Sequence, residues 1–245
     1  MVTNMDEKEN WGLSLDEYNE KENHNFLESL KVIKLMPEYM FYSRIQRLYG
    51  AFPKAGSEEY LVRSILVQIS YDYFIISIMN LFRCHFVEAL SALRNSIELA
   101  AYINIIKKEN RLDYLFLQKQ EKKDLFEKSF IANKFPEDDE VVFPLKERWK
   151  FVSDWASHMN FQSIHQKIRQ ENGQFKIGYF DLETENNQLN FRRQFNYILD
   201  THIVILSVCC AAFEGPLTQE FRDDLFSLTS DYSRHKWDMF GKSIL

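Results

Sequence analysis

A chain of 245 residues is long enough to bury one large core or two small ones. With 7 Gly and 5 Pro it lacks the punctuation of a turn-rich β fold, and helices with few connections are the better expectation. A formal charge of −6 argues against general binding to polyanions and leaves room only for a local basic patch.

The 3 cysteines are Cys84 and the adjacent Cys209 and Cys210, the pair in an apolar run. They read as reduced core thiols rather than a disulfide framework. The polar, acidic start MVTNMDEKEN holds no signal peptide. The apolar runs 73–82 and 203–213 fall short of a bilayer span. The expectation is a cytoplasmic protein with no membrane partner.

In chain order, residues 1–13 read as a loose arm and 14–245 as a single α-helical domain. Ser14-Leu-Asp-Glu17 matches a capping box that opens a helix to about Leu35, with Phe26, Leu27, Leu30 and Ile33 on its apolar stripe. Pro37 suits the first turn of a second helix, which Gly50 would end in a left-handed cap. AFPKAG is a turn, and Ser57, Glu58 and Glu59 fit the start of a central stretch reaching Lys108. Phe82-Arg83-Cys84-His85 interrupts that stretch, and Phe86, Leu90, Leu93, Ile97 and Ala101 begin a new stripe. An antiparallel hairpin is therefore expected rather than one long helix.

Residues 111–131 read as one charged helix anchored by Leu112, Leu115, Leu125 and Phe126, followed by an acidic loop at 136–140. Pro144 opens a helix carrying Leu145, Trp149, Val152, Ala156 and Met159 on one face. Asn172-Gly173 marks a turn, with one short strand or extended segment near 174–180. A helix over 187–213 becomes apolar all round and should be central. Gly215-Pro216 stops it, and a last helix from about Thr218 to Phe240 ends at Gly241. The fold class expected is an all-α multi-helix bundle around a central helical hairpin.

Two polar pairs stand out. Arg94 and Glu98 are four apart and share a helix face, as do Asp154 and His158 on the helix opened by Pro144. A carboxylate at Asp154 could fix the tautomer of His158 and leave its other nitrogen for proton transfer. Arg94–Glu98 more often is an ordinary helical ion pair, and Asp154–His158 equally fits a surface pair or a satisfied core histidine. His165 lies two turns from His158, too far to share a metal. His202 reads as structural, His235 as a cation complementing a helix C-terminus, and His24 and His85 join no constellation. The chain has no P-loop, G-x-G-x-x-G, G-x-S-x-G or H-E-x-x-H, and no His follows a Glu by three. No metal site and no cofactor are expected.

The segment Ala89-Leu-Ser-Ala-Leu-Arg-Asn-Ser-Ile-Glu98, with Ser153-Asp-Trp-Ala-Ser-His158 further on, resembles an uncharacterised bacterial branch of the HEPN superfamily (higher eukaryotes and prokaryotes nucleotide-binding). The resemblance spans roughly residues 57–215. It implies a helical bundle, commonly a homodimer, that cleaves RNA in toxin–antitoxin or antiviral systems or serves as a binding module. Active members resemble one another in an Arg, a polar residue and a His soon after. Arg94-Asn95 matches that start, but Ile97 to Ala101 hold no histidine, so catalysis would need His158 in its place.

Three functional expectations follow. The first is a binding or regulatory module whose Arg94, Asn95 and Glu98 form a polar pocket for a small anionic ligand or nucleotide. The second is a metal-independent ribonuclease, with His158 as base, Asp154 orienting it and Arg94 stabilising the phosphorane. The third is a structural interaction protein.

Overall fold

A computed structural model describes residues 14–52, 60–109, 112–132, 134–156, 168–171, 174–177, 188–213 and 215–240. The described residues form an all-α bundle with one small strand pair. Helix α1 (Leu15–Lys34) begins at the expected capping box. Glu17 N–H donates to Ser14 Oγ at 3.2 Å, and Ser14 N–H donates to Glu17 Oε2 at 2.7 Å. Pro37 then immediately precedes α2 (Glu38–Ala51). Gly50 is not its cap: the helix runs through it, and the chain leaves at Phe52 in extended conformation. Phe52 explains this, being buried edge-on against Phe213 and Phe221 and so drawing the backbone out of the helix. The AFPKAG turn beyond Phe52 and the acids 58–59 lie outside the described residues.

The central stretch folds as a hairpin of α3 (Leu61–Phe82) and α4 (Phe86–Lys108). No Gly or Pro makes the turn. Cys84 takes a left-handed φ of 65°, costing about 1 kcal/mol for a side-chain-bearing residue. Its N–H donates to Leu81 O at 3.0 Å and that of His85 to Asn80 O at 2.8 Å, so a Schellman motif forms with cysteine where glycine is usual. His85 is fixed in turn from α1: its Nε2 lies 2.7 Å from Glu22 Oε1 and 3.3 Å from Tyr18 Oη. The histidine for which the sequence suggested no partner thus helps hold the hairpin's turn. Ser77 Oγ donates to Ala89 O and Ser96 Oγ to Ser70 O, which sets the register between the two helices.

The expected helix over 111–131 is broken. Helix α5 (Leu112–Leu117) ends in a turn in which Glu121 and Lys122 N–H both donate to Gln118 O. Helix α6 (Lys123–Phe126) then widens into a π turn over Glu127–Ile131. On one straight helix Phe116 would stand about 15 Å and 21 Å along the axis from Phe126 and Phe130, too far for the three rings to meet. The break lets all three rings meet Tyr102 at centroid distances of 5.9, 5.9 and 5.5 Å. Leu125, expected as an anchor, is instead exposed.

Helix α7 (Phe143–Ala156) carries Pro144 in its first turn and buries Leu145 and Val152. Strands Ile168–Glu171 and Gln174–Ile177 pair antiparallel, Ile168 opposite Ile177, around the Asn172-Gly173 dipeptide, which lies outside the described residues. Helix α8 (Gln188–Ala212) runs through the centre, packing on α2, α3, α4 and α7, and Gly215-Pro216 form the turn after it. Helix α9 (Gln219–Phe240) closes against α2 and α8. Both α3 and α8 are long and apolar enough to cross a membrane. The apolar window of α8, however, is 72% buried inside the bundle, as a core helix would be. The three cysteines are unbridged and buried.

Candidate functional site

Arg94 and Glu98 stand on the side of α4 against which α7 packs, and the contact is built around one carboxylate oxygen. Glu98 Oε1 accepts from Trp149 Nε1 at 2.8 Å and from Lys134 Nζ at 3.0 Å, while Arg94 Nε lies 3.5 Å away. The ring of Trp149 carries Lys134 Nζ 4.1 Å from its centroid and the Arg94 guanidinium carbon at 5.6 Å. Burial raises the Glu98 pKa, but the Trp149 and Lys134 hydrogen bonds and the two cations outweigh it and hold the carboxyl below its usual range. Burial, and then the Glu98 charge, push the Tyr102 phenol up to about 12.

Arg94 differs from its neighbours in the cluster. Lys134 and Trp149 both hydrogen-bond Glu98, whereas the guanidinium of Arg94 makes no hydrogen bond among the described residues. Its side chain is 31% exposed, so the outer nitrogens face solvent. Asn95 is exposed, about 100° round α4 from Arg94. Asp154 is exposed on α7, about 140° round from Trp149, and is not part of the cluster. His158 and His165 lie outside the described residues. Helices α4 and α7 pack together and bring Arg94 and Glu98 to Trp149, read from the sequence only as a packing residue, and to Lys134, which the sequence reading did not include.

A second buried carboxylate was missed altogether. Glu38, fully buried at the first turn of α2, accepts at Oε1 from Arg192 Nε (2.7 Å), Asn196 Nδ2 (3.1 Å) and His235 Nε2 (3.0 Å). Burial raises its pKa, yet these donors and its own backbone N–H bring it below the usual range. His235 therefore serves a carboxylate on another helix, not its own helix end. Tyr232 Oη closes the group by donating to Asn196 O at 2.7 Å. Nearby, Asp200 accepts from Arg148 (2.7 Å) and Lys236 (2.9 Å), tying α7, α8 and α9 together.

His202 is fully buried with Nδ1 2.9 Å from Tyr49 Oη, and Nε2 has no partner among the described residues. Burial lowers its pKa to about 3, so the ring is neutral and structural, as expected. A groove of about 450 Å³ lies further along α4, lined by Asn104, Ile105, Lys108, Leu112, Leu125 and Pro136 among others, and does not include Arg94. Among the described residues no cluster of His, Cys, Asp and Glu could hold a metal ion.

Comparison with protein-family models, with curated proteins and with solved structures finds no match to this chain. What the fold defines is its class, an all-α bundle around a helical hairpin.

Proposed function

We propose that the chain is a binding or regulatory module, HEPN-like in its α4 segment, in which Arg94 takes the phosphate or carboxylate of a small ligand. The observation that carries this reading is the partly exposed Arg94 guanidinium, which makes no hydrogen bond among the described residues, beside a carboxylate already supplied by Lys134 and Trp149. A planar fork with unused donors matches a two-oxygen anionic group. Glu98 holds the base of the Arg94 side chain, and Asn95 stands at the next position of the helix. Inorganic phosphate, nucleoside monophosphates and small dicarboxylates, screened by thermal shift, should include at least one that raises Tm. Arg94→Ala should abolish that rise and lower the unliganded Tm only slightly, since what it removes from the fold is a part-exposed ion pair with Glu98. No rise with any anion, or an equal rise in the variant, would leave the chain as a structural interaction protein.

A second reading, metal-independent RNA cleavage, is favoured by the groups around Glu38. A carboxylate only accepts, so His235 Nε2 carries the proton and Nδ1 is left to take one from a ribose hydroxyl. Arg192, on the same carboxylate oxygen and 30% exposed, would stabilise phosphorane charge. Cleavage in EDTA that disappears in His235→Gln and Arg192→Ala supports this arrangement. Loss in His158→Ala instead would return the base to the position expected from sequence, and activity surviving all three changes would contradict the reading.

A further inference from the structure

Away from the Arg94 cluster, the last turns of α4 face the π turn over Glu127–Ile131 across the groove of about 450 Å³. That volume falls within the ~300–1,000 Å³ of small-molecule sites. π turns are rare and recur where a chain has a function to serve. Ile105, Leu112 and Pro136 give the groove apolar walls. Leu125 lines it too and is 54% exposed, so part of its apolar surface is left uncovered.

The polar side of the groove is arranged by Asp139. Its Oδ1 accepts from the N–H groups of Val141 and Val142, and its Oδ2 from Asn104 Nδ2 at 2.6 Å and Lys108 Nζ at 2.8 Å. Burial raises the Asp139 pKa, but these donors outweigh it and hold the carboxyl below its usual range. A carboxylate only accepts, so Asn104 must turn Nδ2 toward Asp139 and its carbonyl oxygen elsewhere. Asn104 is 4% exposed, and its Oδ1 meets no donor among the described residues. That oxygen is not sealed from solvent, so it opens into the groove that Asn104 lines. On the π turn, the Ser129 hydroxyl is likewise without a hydrogen bond among the described residues. Lys108, 52% exposed, keeps two ammonium hydrogens beyond the one it gives Asp139.

We propose that this groove binds a small uncharged amide carrying an aliphatic group. The ligand N–H donates to Asn104 Oδ1, and its carbonyl accepts from the Lys108 ammonium or the Ser129 hydroxyl. The aliphatic group lies on Leu112, Leu125 and Pro136. Charged ligands fit less well. Lys108 and Lys128 are balanced by Glu109 and Asp139, so the groove has no net charge to offer. An anion would also meet an acceptor at Asn104 Oδ1, which a ligand N–H satisfies instead. The site is separate from Arg94, and neither reading depends on the other.

Titration of the full chain with N-acetylleucinamide, followed by backbone amide NMR shifts, tests the proposal. Saturable shifts are expected at Ile105, Lys108 and Ser129. N-acetylglycinamide lacks the aliphatic group and isocaproate lacks the N–H, and each should bind about tenfold more weakly. Ser129→Trp fills the groove and should abolish the shifts. Should that variant misfold, Leu125→Glu gives a second measurement at an exposed position and should weaken binding about tenfold. No saturable shift at these three residues with N-acetylleucinamide overturns the proposal. So does isocaproate binding as tightly as the amide, or native affinity in both variants.

Discussion

Replacing Glu38 with alanine is expected to lower the unfolding free energy by about 3 kcal/mol at pH 7. The magnitude comes from what the change leaves behind. Arg192, Asn196 and His235 all direct donors at one fully buried oxygen, which the change removes. Arg192 is 30% exposed and can regain water, which keeps the loss below that of a sealed ion pair. Asn196 Nδ2 retains a bond to Arg192 O at 3.0 Å. Glu38→Gln keeps an acceptor for one donor and should lose roughly half as much. Urea titrations of the two variants check the order. Equal stability of Glu38→Ala and the native chain would mean that the cluster does not hold α2 to α8 and α9.

The second large effect is acid destabilisation through His202. The unfolded ring takes up its proton near 6.5 and the buried ring only near 3, because burial disfavours the cation. The unfolded state therefore binds more protons across that interval. The stabilising contribution is complete above pH 6.5 and is lost as pH falls toward 3, up to roughly 4–5 kcal/mol. His202→Leu is close in size, leaves Tyr49 its contact with Ser70, and removes the titrating group. Unfolding free energies measured from pH 7 to pH 4 should fall about 3 kcal/mol further in the native chain than in the variant. Glu38 and Glu98 titrate in both proteins and cancel in the difference. Parallel curves would show that His202 is not buried as a neutral ring.

How much of this could be read from the residues depends on whether the cause was local. The capping box of Ser14 and Glu17 was legible because both partners lie within one turn, and the α3–α4 hairpin because the apolar stripe changes phase at Phe86. The stripe of α7 placed Trp149 on a packing face, but nothing showed that its indole nitrogen would reach Glu98. Glu38 was hidden for the same reason: beside Pro37 it looks like any acid in a first helical turn, and its partners lie more than 150 positions away. The break after Leu117 was equally unmarked, since no glycine or proline makes it and the gain is the convergence of four aromatic rings. Gly50 misled in the opposite sense. Its freedom was not needed, because the burial of Phe52 decides where α2 ends.

Arg94 as an anion-binding group is most directly tested by isothermal titration calorimetry, using the anion that raises Tm most. The native chain should give a saturable binding heat that Arg94→Ala lacks and that Arg94→Lys, keeping the charge but not the fork, recovers only in part. The same heat and affinity in Arg94→Ala would contradict the account, because the anion would then be held by other residues.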